Sequence, residues 1–282
     1  MADVWTLLKL LRWTTEYFSS KEIDNPRLNA ELLLAHVLEL DRVGLYLDFE
    51  RPLDNAELDA IRPLVKRRGQ REPLQYLIGQ AEFWSLPFEV TPAVLIPRGD
   101  TEILVEEALN RADQGQSLLD VGTGSGAIAV SLASELAGWQ ITALDISQDA
   151  LDIAIRNAEK NRVAEQIRFV QADLAQLPQQ QYDLIVSNPP YIAQAEWDEL
   201  MPEVCCFEPK AALLAADSGL DCYHKLTGQA QDRLTSGGWL LVEIGYRQAQ
   251  AVSELFTTAG LQDVFVRDDY AGQPRVVGGC KR

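Results

Sequence analysis

The chain has 282 residues, 47% of them apolar, enough for a sizeable core and long for one ordinary domain. Its formal net charge is −17: residues 1–75 carry 11 Lys and Arg against 13 Asp and Glu, and the rest carry 14 against 29. A larger part this acidic repels phosphate backbones, so direct nucleic-acid binding is not expected.

Four cysteines without C-x-x-C spacing and two histidines argue against a metal site or a disulfide framework, and fit a reducing cytoplasm. Met1-Ala2-Asp3-Val4 has no basic region leading into an apolar one, and no apolar run is long enough for a bilayer. The expectation is a cytoplasmic monomer without membrane contact.

In chain order, residues 3–19 carry Val4, Leu7, Leu8, Leu11 and Phe18 at helical spacing, and 26–40 repeat the pattern after Pro26. Asp54 with Glu57 reads as a capping box for a helix over 55–68 that contains Pro63 and stops at Gly69. Residues 1–75 therefore read as a small helical domain. Leu86 to Pro97 mixes prolines with β-formers and reads as a hairpin, placing a linker at 76–99. Asp100 reads as the cap of a helix starting near Thr101.

From there strands and helices alternate. Strands are expected at 117–121, 141–144, 167–170, 182–187, 238–244, 264–266 and 276–277. Helices are expected at 126–137, 147–160, 221–234 and 247–258. The alternation indicates an α/β doubly wound, mostly parallel sheet over 100–282.

D-V-G-T-G-S-G-A (120–127) leaves the first strand and opens a helix. Gly122 and Gly124 allow a tight turn and close ligand approach, and Gly126 allows the helix to lie near the strand. Thr123 and Ser125 complete the loop, whose helix N-terminus offers free N–H groups. Asp145 ends the second strand, where an acid accepts ribose hydroxyls. Asp173, followed by Leu174, ends the third, where an acid accepts an adenine amino proton. These acids and Asp120 converge on the ligand edge of a parallel sheet. No Lys or Arg stands in the loop to meet a pyrophosphate, which favours S-adenosylmethionine over a dinucleotide.

S-N-P-P-Y-I (187–192) follows the apolar strand ending in Leu184-Ile185-Val186. A plain double-proline turn accounts for Pro189 and Pro190 but not for Asn188 and Tyr191. The chemistry of a planar NH₂ group accounts for all four. Its nitrogen is a poor nucleophile because the lone pair is delocalised. Two acceptors holding its protons, the Asn188 side-chain oxygen and the Pro189 carbonyl, would aim that lone pair at a methyl donor. Proline fixes the carbonyl's direction, and Tyr191 covers the flat face and meets the sulfonium cation.

At this point the chain resembles the peptide chain release factor glutamine methyltransferases (the HemK/PrmC family). The resemblance runs through E-P-L-Q-Y-L-I-G-Q-A-E-F-W-S-L-P-F-E-V-T-P-A-V-L-I-P-R-G-D-T-E (72–102), the glycine loop, S-N-P-P-Y-I, F-E-P-K-A-A-L-L-A-A-D-S-G-L (207–220) and E-I-G (243–245). It implies N5-methylation of the glutamine in the Gly-Gly-Gln motif of class-1 release factors. It also implies a helical, substrate-docking N-terminal domain joined by a hairpin to a Rossmann-like class I methyltransferase domain with a mixed, mostly parallel sheet. The positions matching Gly122–Gly126, Asp145 and Asn188 bind S-adenosylmethionine in relatives, and those matching Asn188–Tyr191 hold the glutamine. Two departures stand out: Gly99 replaces the middle proline of P-R-P-D-T-E, which predicts a looser loop, and Leu174 replaces a tryptophan of some relatives. Rival readings are an adenine-N6 methyltransferase acting on DNA or RNA, a dinucleotide oxidoreductase, and a binding module with a relic site. The first lacks a basic groove and an insert after Tyr191, and the other two leave the intact N-P-P-Y without a purpose.

Overall fold

The computed structural model describes residues 4–112, 115–215 and 218–282. Two compact units emerge: the chain up to Gly79 together with Met201–Phe207, and Gln80–Leu200 together with Glu208–Arg282. Among the described residues no helix is long and apolar enough to cross a membrane.

The first unit is helical: α1 (Leu7–Ser20), α2 (Pro26–Val37), α3 (Arg42–Leu47), α4 (Asn55–Gly69) and α5 (Leu74–Ile78). The expected helix over 3–19 starts later, because the Thr6 hydroxyl caps it, and residue 3 lies outside the described residues. The helix expected to reach 40 stops at Val37, just before Glu39 turns to φ +53°. The Asp54–Glu57 capping box is present as expected. Sequence periodicity missed α3 and α5, which are too short to show a helical repeat. Leu7, Leu11, Phe18, Leu33, Leu34 and Ile61 form the core. Glu31 is buried beside them. Burial alone would raise its pKa, but hydrogen bonds from Tyr46, Arg42 and Arg27 hold it below the ordinary value.

The second unit opens with a hairpin, β1 (Gln80–Phe83) against β2 (Leu86–Glu89). It lies earlier than the expected 86–97. Its turn is Trp84-Ser85, both at positive φ (53° and 55°), a conformation that turn signals normally announce with Gly or Asn. A 3₁₀ turn (Gly99–Thr101) then leads into α6 (Glu102–Leu109). Asp100 does not cap this helix. It sits inside the 3₁₀ turn, and its carboxylate pairs with Arg275 at 3.1 Å.

The alternating part follows: β3 (Ser117–Val121), α7 (Ala127–Glu135), β4 (Gln140–Asp145), α8 (Gln148–Lys160), β5 (Ile167–Gln171), β6 (Tyr182–Ser187), α9 (Pro202–Phe207, grouped with the first unit), α10 (Asp221–Arg233), β7 (Leu234–Glu243), α11 (Ala249–Thr258), β8 (Gln262–Asp268) and β9 (Pro274–Cys280). The sheet order is β5-β4-β3-β6-β7-β9-β8. The first five pair in parallel, and β9 is antiparallel to both its neighbours. Alternation within strands feeds two cores: Leu118 and Leu184 pack with α6 and α7, while Leu119 and Ile185 pack with Tyr223, Leu226 and Phe256. Both faces are therefore covered, as a parallel sheet requires.

The strand order places the site. The chain winds outward from β3 to β5, then returns to β6 on the other side of β3, leaving a crevice at the carboxyl ends of β3 and β6. In register, Val121 pairs with Ser187, so the glycine loop and the N-P-P-Y loop leave adjacent strands side by side. The buried Ser187 hydroxyl donates to the Val121 carbonyl at 2.7 Å and ties the two exits together.

Candidate active site

The glycine loop begins one residue after β3. Gly122 and Gly124 take φ of +76° and +55°, and a Cβ added at either would meet nothing within 4 Å. The backbone here thus faces open space, the cradle a ligand needs. Gly126 differs from expectation. Its close neighbour is Ala154 of α8, whose Cβ and Cα would lie 3.1 and 3.2 Å from an added Cβ, rather than a strand. Thr123 and Ser125 are buried. The Thr123 N–H donates to the Leu144 carbonyl, and Asn157 donates to the Ser125 carbonyl at 2.8 Å.

The three acids differ in setting. Asp120 is fully buried, and burial pushes its pKa up to about 7 despite hydrogen bonds from Thr123 and the Ala129 backbone. Asp145, half-buried, accepts Gly124 N–H on one oxygen and Ser147 N–H on the other, both at 2.9 Å. That fixes the carboxylate plane beside the cradle and leaves lone pairs for ribose hydroxyls. Asp173 stands two residues beyond the end of β5, exposed, and accepts Ala175 N–H at 2.7 Å. Leu174 is half-buried against the second core, and its carbonyl accepts from Gln229. The exposed Ile146, absent from the sequence reading, adds an apolar surface directly after Asp145.

The Asn188–Tyr191 loop borders a small cavity of about 40 Å³, lined also by Arg98, Leu213 and Glu243. Pockets for drug-sized ligands run to roughly 300–1,000 Å³, so this one is a small hollow of the kind that receives a side-chain end. The Asn188 Nδ2 donates to the Thr101 hydroxyl at 3.1 Å. Tyr191 is half-buried, and burial together with the neighbouring Glu243 raises its pKa, so it remains a neutral phenol. Its carbonyl accepts from Gln248 Nε2 at 3.0 Å. Glu208, from the F-E-P segment, accepts the Ile96 N–H and pairs with Arg98 at the cavity wall.

Sequence reasoning missed four supporting residues: Thr101, Glu243, Gln248 and Asn157. Glu243 carried a usable signal, an acid ending an apolar strand like Asp145. Asn157 carried none, because its contacts, to Ser125 and to the Glu89 backbone, come from distant segments.

Comparison with known proteins agrees with this geometry. Residues 9–79 match the family described as PrmC N-terminal domain, and residues 99–206 match Methyltransferase small domain. The release factor glutamine methyltransferase of Geobacter sulfurreducens is 48% identical over 98% of this chain and 97% of its own length. That of Chlorobaculum tepidum is 45% identical over 95% and 94%, and that of Escherichia coli 42% over 95% and 97%. Among solved structures, the hMettl16 catalytic domain, in complex with a 3′UTR hairpin, covers 83% of this chain and 85% of its own at TM-score 0.56 and 16% identity. A methyltransferase from Pyrococcus furiosus covers 70% and 89% at TM-score 0.52 and 19% identity. At such identities these two establish the fold alone. The open glycine cradle, the oriented Asp145 carboxylate and the absence of Lys and Arg from the loop fit S-adenosylmethionine as the cofactor. With relatives matching over nearly the whole chain and both domains matching the family models, the chain is an S-adenosylmethionine-dependent methyltransferase and belongs to the release factor glutamine methyltransferase family.

Proposed function

We propose that this protein transfers a methyl group from S-adenosylmethionine to the side-chain nitrogen, N5, of the glutamine in the Gly-Gly-Gln motif of class-1 peptide chain release factors, and so modulates translation termination. The observation that carries the reading is the small cavity at Asn188 and Tyr191, on a loop that leaves the strand next to the one bearing the glycine cradle, with Val121 and Ser187 in register. Bound over Gly122–Gly126 and Asp145, the cofactor supplies an electrophilic methyl group on a sulfonium.

The chain's own residues do the rest. Neither Asn188 Oδ1 nor the Pro189 carbonyl accepts a hydrogen bond from another described residue, so both are available to the two N–H protons of a carboxamide. Held that way, the amide nitrogen turns its lone pair out of the carboxamide plane. Pro189 and Pro190 stiffen the bend so that the two acceptors keep their spacing. Tyr191 covers the flat face. A strong base is unnecessary, since the nitrogen becomes acidic as the new N–C bond forms and releases its proton to solvent. The rate gain comes from positioning, an effect worth ~7–11 kcal/mol at best.

The rival adenine-N6 reaction on DNA or RNA calls for a basic groove, whereas the chain carries a formal net charge of −17. The first unit supports a docking role for residues 1–75. Trp5, Trp13, Tyr17, Ile61 and Val65 line an apolar groove of about 310 Å³ bordered by Arg62 and Lys66, suited to an amphipathic acidic segment of the release factor. The reading includes a monomer acting in the cytoplasm without direct contact to nucleic acid.

The test is incubation with labelled cofactor and purified release factor, with the labelled residue mapped by mass spectrometry. Label on the glutamine, lost in a folded Asn188→Ala variant, is expected. Label on nucleic acid only, or near-normal turnover by Asn188→Ala, would sink the reading. Trp13→Ser should raise KM for intact release factor but not for a short Gly-Gly-Gln peptide; equal effects on both would remove the docking role.

A further inference from the structure

The catalytic asparagine has an ambiguity that the N-P-P-Y motif cannot resolve. Its amide presents an oxygen on one side and an NH₂ on the other, and only the oxygen can accept a substrate proton. Something must decide which end faces the cavity. The register of the sheet indicates what. Ser187 pairs with Val242, so Asn188 and Glu243 leave neighbouring strands together. Glu243 is 2% exposed, lines the cavity, and its buried Oε2 has no completed hydrogen bond. The hydroxyls of Thr101 and Tyr191 lie near enough to its carboxylate to favour the ionised form. Thr101, itself buried, accepts from Asn188 Nδ2 at 3.1 Å.

A hydroxyl has one proton. With its oxygen accepting from Asn188, Thr101 directs that proton to an acceptor, and Glu243 in its ionised form can only accept. The chain then runs one way: Asn188 amide to Thr101 hydroxyl to Glu243 carboxylate. Asn188 Oδ1 is left pointing at the cavity. The same carboxylate lines the cavity with the Tyr191 ring, so it stands beside both the first and the last residue of the N-P-P-Y bend. We propose that Glu243, acting through Thr101, is a positioning residue that locks the Asn188 amide oxygen toward the substrate and sets the seat of the Tyr191 ring. This rests on the glutamine methylation reading given above.

The arrangement also responds to protons. Burial pushes the Glu243 pKa up to about 7, against the pull of the nearby Thr101 and Tyr191 hydroxyls and of Arg275, while Asp100 pushes the same way as burial. Arg275 is itself paired with Asp100 and Asp269, and Tyr223 donates to the Glu243 backbone carbonyl rather than to its carboxylate. A protonated Glu243 can donate back to Thr101 and compete with the Asn188 amide, so the polarity of the chain is lost below that pH.

The experiment is steady-state methylation of purified release factor by the full chain and three variants, with melting temperature and S-adenosylmethionine dissociation constant measured in parallel. Thr101→Val, close to isosteric, should lower kcat roughly 10- to 100-fold, the scale of a misplaced reacting group. Cofactor affinity should stay unchanged, and Thr101→Ser should restore kcat to within about threefold. The parent's kcat should fall as pH drops through about 7. Glu243→Gln, which keeps the volume and cannot ionise, should be slower and flat over that range. Asp120, raised to a similar pKa, lies at the cofactor cradle and should act on cofactor affinity rather than on kcat. A folded Thr101→Val within twofold of the parent, no rescue by Thr101→Ser, or a Glu243→Gln profile as steep as the parent's would overturn the proposal. Should Thr101→Val fail to fold, the Glu243→Gln profile decides alone. A parent that never labels glutamine defeats the methylation reading instead, a separate and distinguishable failure.

Discussion

Gln248 offers a sharp check on whether the N-P-P-Y bend depends on its framing. Its Nε2 donates to the Tyr191 carbonyl at 3.0 Å and to the Gly219 carbonyl at 3.2 Å. Its Oε1 accepts from the Gly245 N–H at 3.0 Å and, at 3.3 Å, shares the single Tyr223 hydroxyl proton with the Glu243 carbonyl. Gln248→Met keeps the length and volume and removes all four bonds. A neutral hydrogen bond contributes about 1 kcal/mol net, and a partner left buried and unpaired costs ~1–3 kcal/mol. Gln248 is half-buried, so water recovers part of this, and about 3 kcal/mol falls on the segment joining Tyr191, Gly219 and Gly245. At about 1.4 kcal/mol per tenfold, that depletes the competent loop geometry by up to ~100-fold. The expected result is a 10- to 100-fold loss of kcat/KM for release factor. The cofactor dissociation constant should change little, because the cradle hangs on β3 and β4 and makes no contact with Gln248. Gln248→Glu should be worse than Met, since it sets a carboxylate against two carbonyls. The assay is labelled methyl transfer paired with calorimetric cofactor binding. A kcat/KM within twofold of the parent, or a loss confined to cofactor affinity, would refute the reasoning.

Asp120 and Glu243 have folded pKa values raised to about 7 by burial. The folded state therefore holds protons that the unfolded chain has released, so their stabilising contribution is complete below the ordinary carboxylate range and is lost as pH rises through about 7. Each shift corresponds to about 3–4 kcal/mol. The melting temperature of the ligand-free protein should fall from about pH 5 to pH 8, and Asp120→Asn should flatten that fall; an unchanged slope in the variant would contradict the burial argument. Gly99→Pro should be tolerated with full activity and a small gain in stability, about 0.4–1 kcal/mol. Arg98 before it is already extended (φ −107°, ψ 141°), as a residue preceding proline must be, and an added Cβ at position 99 meets nothing. A drop in melting temperature would show the backbone there to be unlike proline's.

That last case shows what was legible. The Gly99 departure suggested a looser loop, yet the 3₁₀ turn, the Asp100–Arg275 pair and buried Thr101 hold that segment in place without the proline. Strands β3 to β6 could be read to within a residue or two because a parallel strand buried on both faces is a continuous apolar run, as at Leu184–Val186, whereas β7 starts at Leu234, before the expected 238, because Thr235-Ser236-Gly237 interrupts its apolar run. The hairpin could not be placed, because Trp84-Ser85 adopts positive φ without Gly or Asn. Its position is set by Ala81, Phe83 and Phe88 entering the core, which is tertiary information. Asp100 looked like a helix cap, and an arginine from β9 captured its carboxylate instead.

The site divides the same way. Residues that touch cofactor or substrate are chosen for chemical type, so glycines, strand-end acids and N-P-P-Y were visible as types in order. Residues that orient them are chosen for where the sheet delivers them. Thr101, Glu243 and Gln248 come from the linker turn, the end of β7 and the approach to α11; Glu243 is marked locally as an acid ending an apolar strand, but that mark does not say which group it faces. Only the neighbouring of β6 with β7 puts Glu243 beside Asn188. An asparagine reversed about its amide would present donors to donors and grip nothing. The sequence could thus identify the gripping group while its facing direction had to come from the fold. It follows that substitutions at Thr101 or Glu243 can silence the enzyme while the glycine loop and the N-P-P-Y bend stay intact.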